Sequence, residues 1–187
     1  MIEAELKAAL LPAQAKALPD ALRALGFTEA GTVQETDLYL NGNDRDFRRT
    51  DEALRLRTVQ TLPEGGAQTL ITYKGPKLDA QSSSRLELET SVEDFETMKK
   101  LLLSLGYRAA LTVKKTRRSF TRGAQTVCLD DVDGLGDYME LEELVPDEAA
   151  RSAAVASLLS LLDTLGVERG ALTRRSYLEL LMAAAME

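Results

Sequence analysis

The sequence predicts an α+β fold in which about eight antiparallel strands carry the architecture and a few helices pack outside them. Three observations predict it. Apolar and charged residues alternate with period two in several segments, the pattern of strands with one packed face and one polar face. Glycine and proline turn signals separate those segments at short intervals. Helical segments are fewer. About eight antiparallel strands suffice to close into a barrel, and its interior would then carry one of the two alternating faces.

The elements follow in chain order. Ile2 to Lys7 alternates apolar and charged and reads as a strand. Pro12 to Leu25 is rich in alanine and leucine and reads as a helix, with Pro19 expected to kink or divide it. Thr32 to Leu40 is a strand, Asn41 to Asp51 a charged loop able to close over a barrel mouth, and Ala53 to Thr61 a further strand. The turn Pro63-Glu64-Gly65-Gly66 joins it to Gln68–Lys74 as a hairpin. Gly75 to Ser84 reads as a loop and Arg85 to Glu89 as a strand. Ser91 caps a helix over Glu93 to Leu105. Tyr107 to Phe120, Gln125 to Val132 and Tyr138 to Val145 are strands, separated by the turns Arg122-Gly123 and Gly134-Leu135-Gly136. Asp147 to Leu165 is a helix with Pro146 before it and Gly166 after it, and Ser176 to Met186 is a short terminal helix. No segment reads as a domain linker, so one domain over residues 1–187 is expected.

Composition narrows the chemistry. The 187 residues include 23 basic and 30 acidic side chains, a net charge of −7, with one cysteine and no histidine. The lone Cys128 excludes an internal disulfide and a cysteine-built zinc site. The lack of histidine excludes histidine triads, histidine zinc sites and histidine phosphorelay. A metal would rest on carboxylates, which favours Mg²⁺ or Mn²⁺. The acidic balance argues against nucleic acid as a partner. No run approaches the ~20 apolar residues of a membrane span, and no basic-then-apolar leader is present. A cytoplasmic location without membrane attachment is expected.

The alternating charges carry the functional signal. On a strand, residues i and i+2 share a face. Glu3, Glu5 and Lys7 therefore point one way, as do Arg55 with Arg57, Arg85 with Glu87 and Glu89, Lys115 with Arg117, and Glu140 with Glu142. A wet outer face would explain this. In a closed barrel the same residues would instead line the interior, where buried charges need partners. Cations satisfy carboxylates, and a polyanion satisfies lysines and arginines. A polyphosphate with bound Mg²⁺ satisfies both. The Glu-x-Glu pairs Glu3/Glu5, Glu87/Glu89 and Glu140/Glu142 each precede a helix that ends at Leu-Gly, a weak internal repeat.

Glu3-Ala4-Glu5-Leu6-Lys7 resembles the Glu-x-Glu-x-Lys opening of the CYTH superfamily, the triphosphate tunnel metalloenzymes. Further matches follow in order: Leu54-Arg55-Leu56-Arg57, Thr72-Tyr73-Lys74-Gly75-Pro76, Arg85-Leu86-Glu87-Leu88-Glu89, Lys115-Thr116-Arg117, Leu129-Asp130-Asp131-Val132, Gly134-Leu135-Gly136 and Glu140-Leu141-Glu142. The resemblance implies a closed eight-stranded antiparallel β-barrel, the triphosphate tunnel, with helices packed outside. It implies that Glu3, Glu5, Asp130, Glu140 and Glu142 bind Mg²⁺ or Mn²⁺. Asp130 is preferred to Asp131 and Asp133, which have the opposite parity or lie near the turn. It implies that Lys7, Arg55, Arg57, Lys74, Arg85, Lys115 and Arg117 bind the triphosphate, with Lys7, Arg117 and Glu140 catalytic. Arg45-Asp46-Phe47, Thr50 to Arg57, Thr72 to Lys77 and Arg175 to Leu181 are most similar to the class IV adenylate cyclase branch.

That branch implies conversion of ATP to 3′,5′-cyclic AMP and pyrophosphate. The alternatives are an inorganic or organic triphosphatase similar to thiamine triphosphatase, and a non-catalytic nucleotide- or polyphosphate-binding module. Tyr39 and Phe47 read as rim packing rather than base contacts, and Cys128 as packing material facing the tunnel. Lys99-Lys100 and Arg174-Arg175 read as solvated surface, and the alanine-rich end of the chain as a helix end or an oligomer contact. The resemblance also allows a homodimer.

Overall fold

The computed structural model describes residues 2–63, 65–78 and 85–185. Eight strands form a closed barrel: β1 Ile2–Ala9, β2 Thr28–Asn41, β3 Ala53–Leu62, β4 Ala67–Lys77, β5 Arg85–Val92, β6 Arg108–Arg122, β7 Gln125–Val132 and β8 Gly136–Val145. Their order around the barrel is β1-β5-β4-β3-β2-β6-β7-β8, and every pairing is antiparallel. β1 closes the circle. It pairs along its whole length with β8, from Ile2 opposite Val145 to Ala9 opposite Tyr138, and meets β5 at Glu3 opposite Arg85.

Among the described residues five α-helices pack around this barrel: α1 Pro12–Ala24, α2 Phe47–Thr50, α3 Phe95–Ser104, α4 Glu148–Thr164 and α5 Tyr177–Ala184. Period-two alternation explains their placement. On β1 the outward Ala4, Leu6 and Ala8 are buried, and so are Met139 and Leu141 on β8 and Phe120 on β6. They pack against Leu18 and Leu22 of α1 and against Val155, Leu158, Leu161 and Leu162 of α4. A second core joins Leu40, Leu54 and Leu56 to Phe47 of α2 and Leu102 of α3. A third cluster, Tyr39, Val113, Val132 and Tyr138, packs with Tyr177 of α5 and so brings that helix to the charged interior.

Several boundaries differ from the sequence reading. Pro19 lies inside α1, which runs through it as one helix. The stretch from Asn41 to Asp51 contains α2, capped by the Asp46 carboxylate, which accepts from the Arg48 amide. Asp94, not Ser91, caps α3, because its carboxylate accepts from the Thr97 amide at 2.7 Å. Gly75, Pro76 and Lys77 belong to β4 rather than to a loop, across a register shift opposite β5. Of the rest of that expected loop, Leu78 is a bend and Asp79 to Ser84 lie outside the described residues, as do Glu64 of the hairpin turn and Met186 of the terminal helix. No helix among the described residues is long and apolar enough to cross a membrane.

Candidate active site

The interior-facing side chains of the barrel enclose a cavity of about 540 Å³. Its lining brings together Glu3, Glu5, Lys7, Arg55, Arg57, Lys74, Arg85, Lys115, Arg117, Glu140 and Glu142, all predicted from the sequence. Glu87 and Glu89 line it as well. Asp130 does not. Its side chain is 0% exposed and stands behind Arg117 and Lys115.

Cross-strand register sets the contacts. Lys7 lies opposite Glu140 on β8, and its Nζ is 3.0 Å from Glu140 Oε1 and 3.3 Å from Glu5 Oε1. Arg117 lies opposite Asp130 and donates to both its oxygens, at 2.7 and 2.6 Å. Arg117 also pairs with Glu140, and its Nη1 is 3.7 Å from Glu142. Lys115 Nζ is 3.2 Å from both Glu35 and Asp130. Lys74 lies opposite Glu87 and pairs with it at 2.7 Å.

Arg85 is placed differently. Its Nη1 donates to the backbone oxygens of Gly75 and Asp51, at 3.2 and 3.4 Å, so it braces the tunnel mouth. Asp51 has φ 55°, in the left-handed region, and accepts from the Lys77 amide at 2.9 Å, which holds that conformation.

Five residues have roles that the sequence reading did not assign. Glu35 and Asp37 face inward on β2 and are buried. Asp37 accepts from Arg57 Nε and Nη2 at 2.6 and 2.7 Å, and its Oδ2 is 3.5 Å from Arg55. Glu35 Oε2 lies 2.9 Å from Arg57 Nη1, a contact of charges without a directional hydrogen bond. Thr72 donates to Glu89 at 2.7 Å. Arg175 is exposed, as expected, and also lines the cavity, and so does Tyr177. The signal for the β2 pair was available, since Glu35, Asp37 and Tyr39 alternate with Thr36, Leu38 and Leu40. Elsewhere Asp131 is exposed, and Cys128 is buried with its Sγ 3.7 Å from Ser119 Oγ. Burial pushes the Cys128 thiol up to about 12, which suits packing rather than nucleophilic attack.

The field divides the tunnel into two parts. Around Glu140 the cations dominate. Burial alone would raise its carboxyl, but Lys7, Arg117 and Lys115 hold it well below the usual carboxylate range. Around Glu3 and Glu142 carboxylates crowd together. Burial raises Glu3 to about 9, opposed by Lys74 and reinforced by Glu142, Glu87 and Glu5. Burial raises Glu142 to about 7, opposed by Arg117 and reinforced by Glu140 and Glu5. Such oxygen-only crowding suits a hard divalent cation, whose charge would relieve the mutual repulsion. Among the described residues no three acidic groups are gathered closely enough to cage an ion as they stand. The carboxylates fit a cation by charge and donor type, and their present partners are lysines and arginines.

Beside the tunnel mouth lies a second recess of about 320 Å³. It shares Tyr39, Phe47, Leu178 and Met182 with the main cavity and continues along Ala109 to Leu111 of β6. Tyr39 and Phe47 are both buried in core clusters, so they pack and line this recess at once.

Comparison with known proteins supplies a family. The model of the CYTH domain matches residues 1–177. A Methanocaldococcus jannaschii protein that bears a provisional adenylate cyclase name, MJ0240, is 34% identical over 180 residues, covering 96% of this chain and 98% of its own. Adenylate cyclase CyaB of Aeromonas hydrophila is 31% identical over 144 residues, 77% of this chain and 70% of its own. Among solved structures, the PH1819 protein of Pyrococcus horikoshii superposes with a TM-score of 0.88 at 37% identity, over 97% of this chain and 99% of its own.

Proposed function

The chain belongs to the CYTH family, and on that premise we propose that it is a metal-dependent enzyme acting on a triphosphate held inside the barrel, with ATP cyclisation to 3′,5′-cyclic AMP and pyrophosphate as the leading reaction. The observation that carries this reading is the pairing of two opposite charge sets within one cavity. Lys7, Arg55, Arg57, Lys74, Lys115 and Arg117 supply donors for a chain of phosphates, and Glu3, Glu5, Glu140 and Glu142 supply oxygens for Mg²⁺ or Mn²⁺. When bound, such an ion lowers the pKa of an attacking hydroxyl and neutralises charge on the leaving phosphate.

The chain's own residues do the rest. Arg117 and Lys7 neutralise charge that grows on phosphate oxygens in the transition state. Lys7 is buried and the Arg117 side chain is 12% exposed, so the low polarity around them strengthens each contact. Glu140 orients both cations by pairing with each. Asp130, facing inward but covered by Arg117, Lys115 and Tyr177, holds both cations in place and is the weakest of the five carboxylates as a metal ligand. Arg85 braces the mouth through Gly75 and Asp51 rather than gripping phosphate directly.

The apolar recess beside the mouth supports a substrate with an organic group attached to its triphosphate. It favours a nucleoside triphosphate over inorganic triphosphate. The names borne by the Methanocaldococcus and Aeromonas relatives point the same way. A triphosphatase is the second reading, because the same charged interior serves attack by water on a terminal phosphorus.

The deciding experiment incubates the protein with ATP, and separately with inorganic triphosphate, in Mg²⁺ or Mn²⁺, and resolves the products by chromatography beside Glu140→Ala. Cyclic AMP that disappears in the variant supports the cyclase. Orthophosphate without cyclic AMP moves the chain to hydrolysis. Metal-dependent binding without turnover of either leaves a binding module and overturns both enzymatic readings for these substrates.

A further inference from the structure

Tyr177 is the first residue of α5 and the point at which that helix meets the tunnel charges. Its hydroxyl donates to Asp130 Oδ2 at 2.8 Å. Two ammonium groups lie over its ring, Lys7 at 4.6 Å and Lys115 at 5.0 Å from the centroid. Tyr138 packs against it edge-on, with ring centroids 5.2 Å apart and planes at 73°. One side chain on a terminal helix therefore touches three charged residues that arise on β1, β6 and β7.

We propose that Tyr177 is a positioning residue that presents Lys7 and Lys115 to the bound phosphates, so that α5 completes the triphosphate site. Lysine is a point charge on a flexible stem, and two lysines surrounded by carboxylates have several equivalent resting places. Lys7 has Glu5 and Glu140 within 3.3 Å, and Lys115 has Glu35 and Asp130 at 3.2 Å. An aromatic face attracts both ammonium groups without neutralising either, and the attraction strengthens where water is excluded. Tyr177 is buried at 6% exposure, so its ring does this with little competition from solvent.

The helix itself is fixed to the strand that carries Lys7. The Thr173 amide donates to the Lys7 carbonyl oxygen at 2.8 Å, and Leu172 bridges to Ala8. Ser176 caps α5 and forms a capping box with Glu179, which sets the direction in which Tyr177 leaves the backbone. At its other end α5 sits against the β7–β8 turn, where a Cβ on Gly134 would come within 3.3 Å of Leu181 Cδ2. Ring, hydroxyl and helix anchor thus form one unit.

The inference rests on the reading that the tunnel binds a triphosphate. The test is calorimetric affinity for inorganic triphosphate with Mg²⁺, measured on the whole chain. Tyr177→Leu is expected to weaken binding about tenfold, the loss of a desolvated aromatic partner to cations, while Tyr177→Phe, which keeps the ring, stays within about twofold. Leu181→Ala loosens the same helix without touching either lysine and is also expected to stay within about twofold of wild type. Thermal unfolding of each variant shows that it is folded. If Tyr177→Leu does not fold, Tyr177→Met replaces it, since methionine fills the space adaptably without a ring face. Ring-less variants that bind as tightly as wild type overturn the proposal. So does a Leu181→Ala variant that loses as much affinity as Tyr177→Leu, because looser helix packing would then suffice. A wild-type protein that fails to bind the triphosphate overturns the functional reading and this inference with it.

Discussion

Arg117 and Asp130 stand directly opposite one another on β6 and β7 and share two hydrogen bonds of 2.7 and 2.6 Å, with the Asp130 carboxylate completely enclosed. Removing one member of a buried charge pair leaves the other uncompensated. Asp130→Asn, nearly the same shape, is expected to lower unfolding free energy by about 3 kcal/mol in urea titration. It should also reduce turnover more than it weakens metal binding. A variant that instead needs far more Mg²⁺ at unchanged stability would return Asp130 to the metal set.

Asp37 makes a prediction in pH. Burial would raise its carboxyl, but Arg55 and Arg57 overcome that and hold it below the usual range. Glu35 is lowered in the same sense by Lys115, Arg117 and Arg57 against its burial. A depressed carboxyl adds stability that is complete above its unfolded value near 4 and is lost as pH falls through the folded value. Wild-type stability should therefore decline steeply below about pH 4. Asp37→Asn should be less stable at pH 7 by about 3 kcal/mol, with a shallower acid limb. Denaturant melts across pH 2–7 check the sign (a range set by the ordinary carboxylate values, about 4).

Glu142 tests the divalent site. Glu142→Gln removes one oxygen charge, so the Mg²⁺ concentration for half-maximal turnover should rise about tenfold. Chelation with EDTA should abolish turnover of the unmodified enzyme, and added Mg²⁺ should restore it. Equal Mg²⁺ titration curves for wild type and variant would remove Glu142 from the set.

The recess beside the mouth predicts a split between substrates. Met182→Trp fills space shared by the recess and the cavity. The KM for ATP should rise about tenfold while that for inorganic triphosphate stays nearly constant. A parallel rise in both would mean that the recess takes no organic group.

Leu158 of α4, fully buried, tests what holds the helices on the barrel. Leu158→Ala is expected to cost about 2–5 kcal/mol of stability. Triphosphate affinity should be preserved, because the residue packs on the outer face and not in the tunnel.

Much of this was legible in the chain because the barrel has a simple grammar. Alternation assigned Lys7, Arg55, Arg57, Lys115, Glu140 and Glu142 to one face, and closure turned that face inward. Gly123 and the Gly134–Gly136 turn marked the meander of β6, β7 and β8. What escaped is instructive. Glu35 and Asp37 alternate as clearly as the others, yet they match no motif of the resemblance quoted above. Their role emerges only when β2 pairs with β3 and sets Asp37 opposite Arg57. Asp130 has the right parity but no exposure, and a strand pattern cannot tell a lining group from one enclosed behind it. Ser91 is a good cap by residue type, but Asp94 caps α3 by accepting from the Thr97 amide. Arg175 and Tyr177 lie in the stretch Arg175 to Leu181 that the resemblance marks, but that they reach the tunnel from the start of α5 is a tertiary fact.

The way β1 closes the circle bears on how the protein is made. Of the eight barrel strands β1 leaves the ribosome before the others, yet its principal neighbour is β8, which follows them all. Until then only its Glu3 end has a partner strand, at Arg85 of β5, and Lys7 has no Glu140 to meet. Pairing of β1 along its whole length must therefore follow synthesis of nearly the whole barrel. Such distant pairing slows folding and leaves a strand edge open to wrong partners. The alternating charges of Glu3, Glu5 and Lys7 discourage premature sheet growth during that wait. The residues that would serve catalysis thus also act as gatekeepers of the nascent chain.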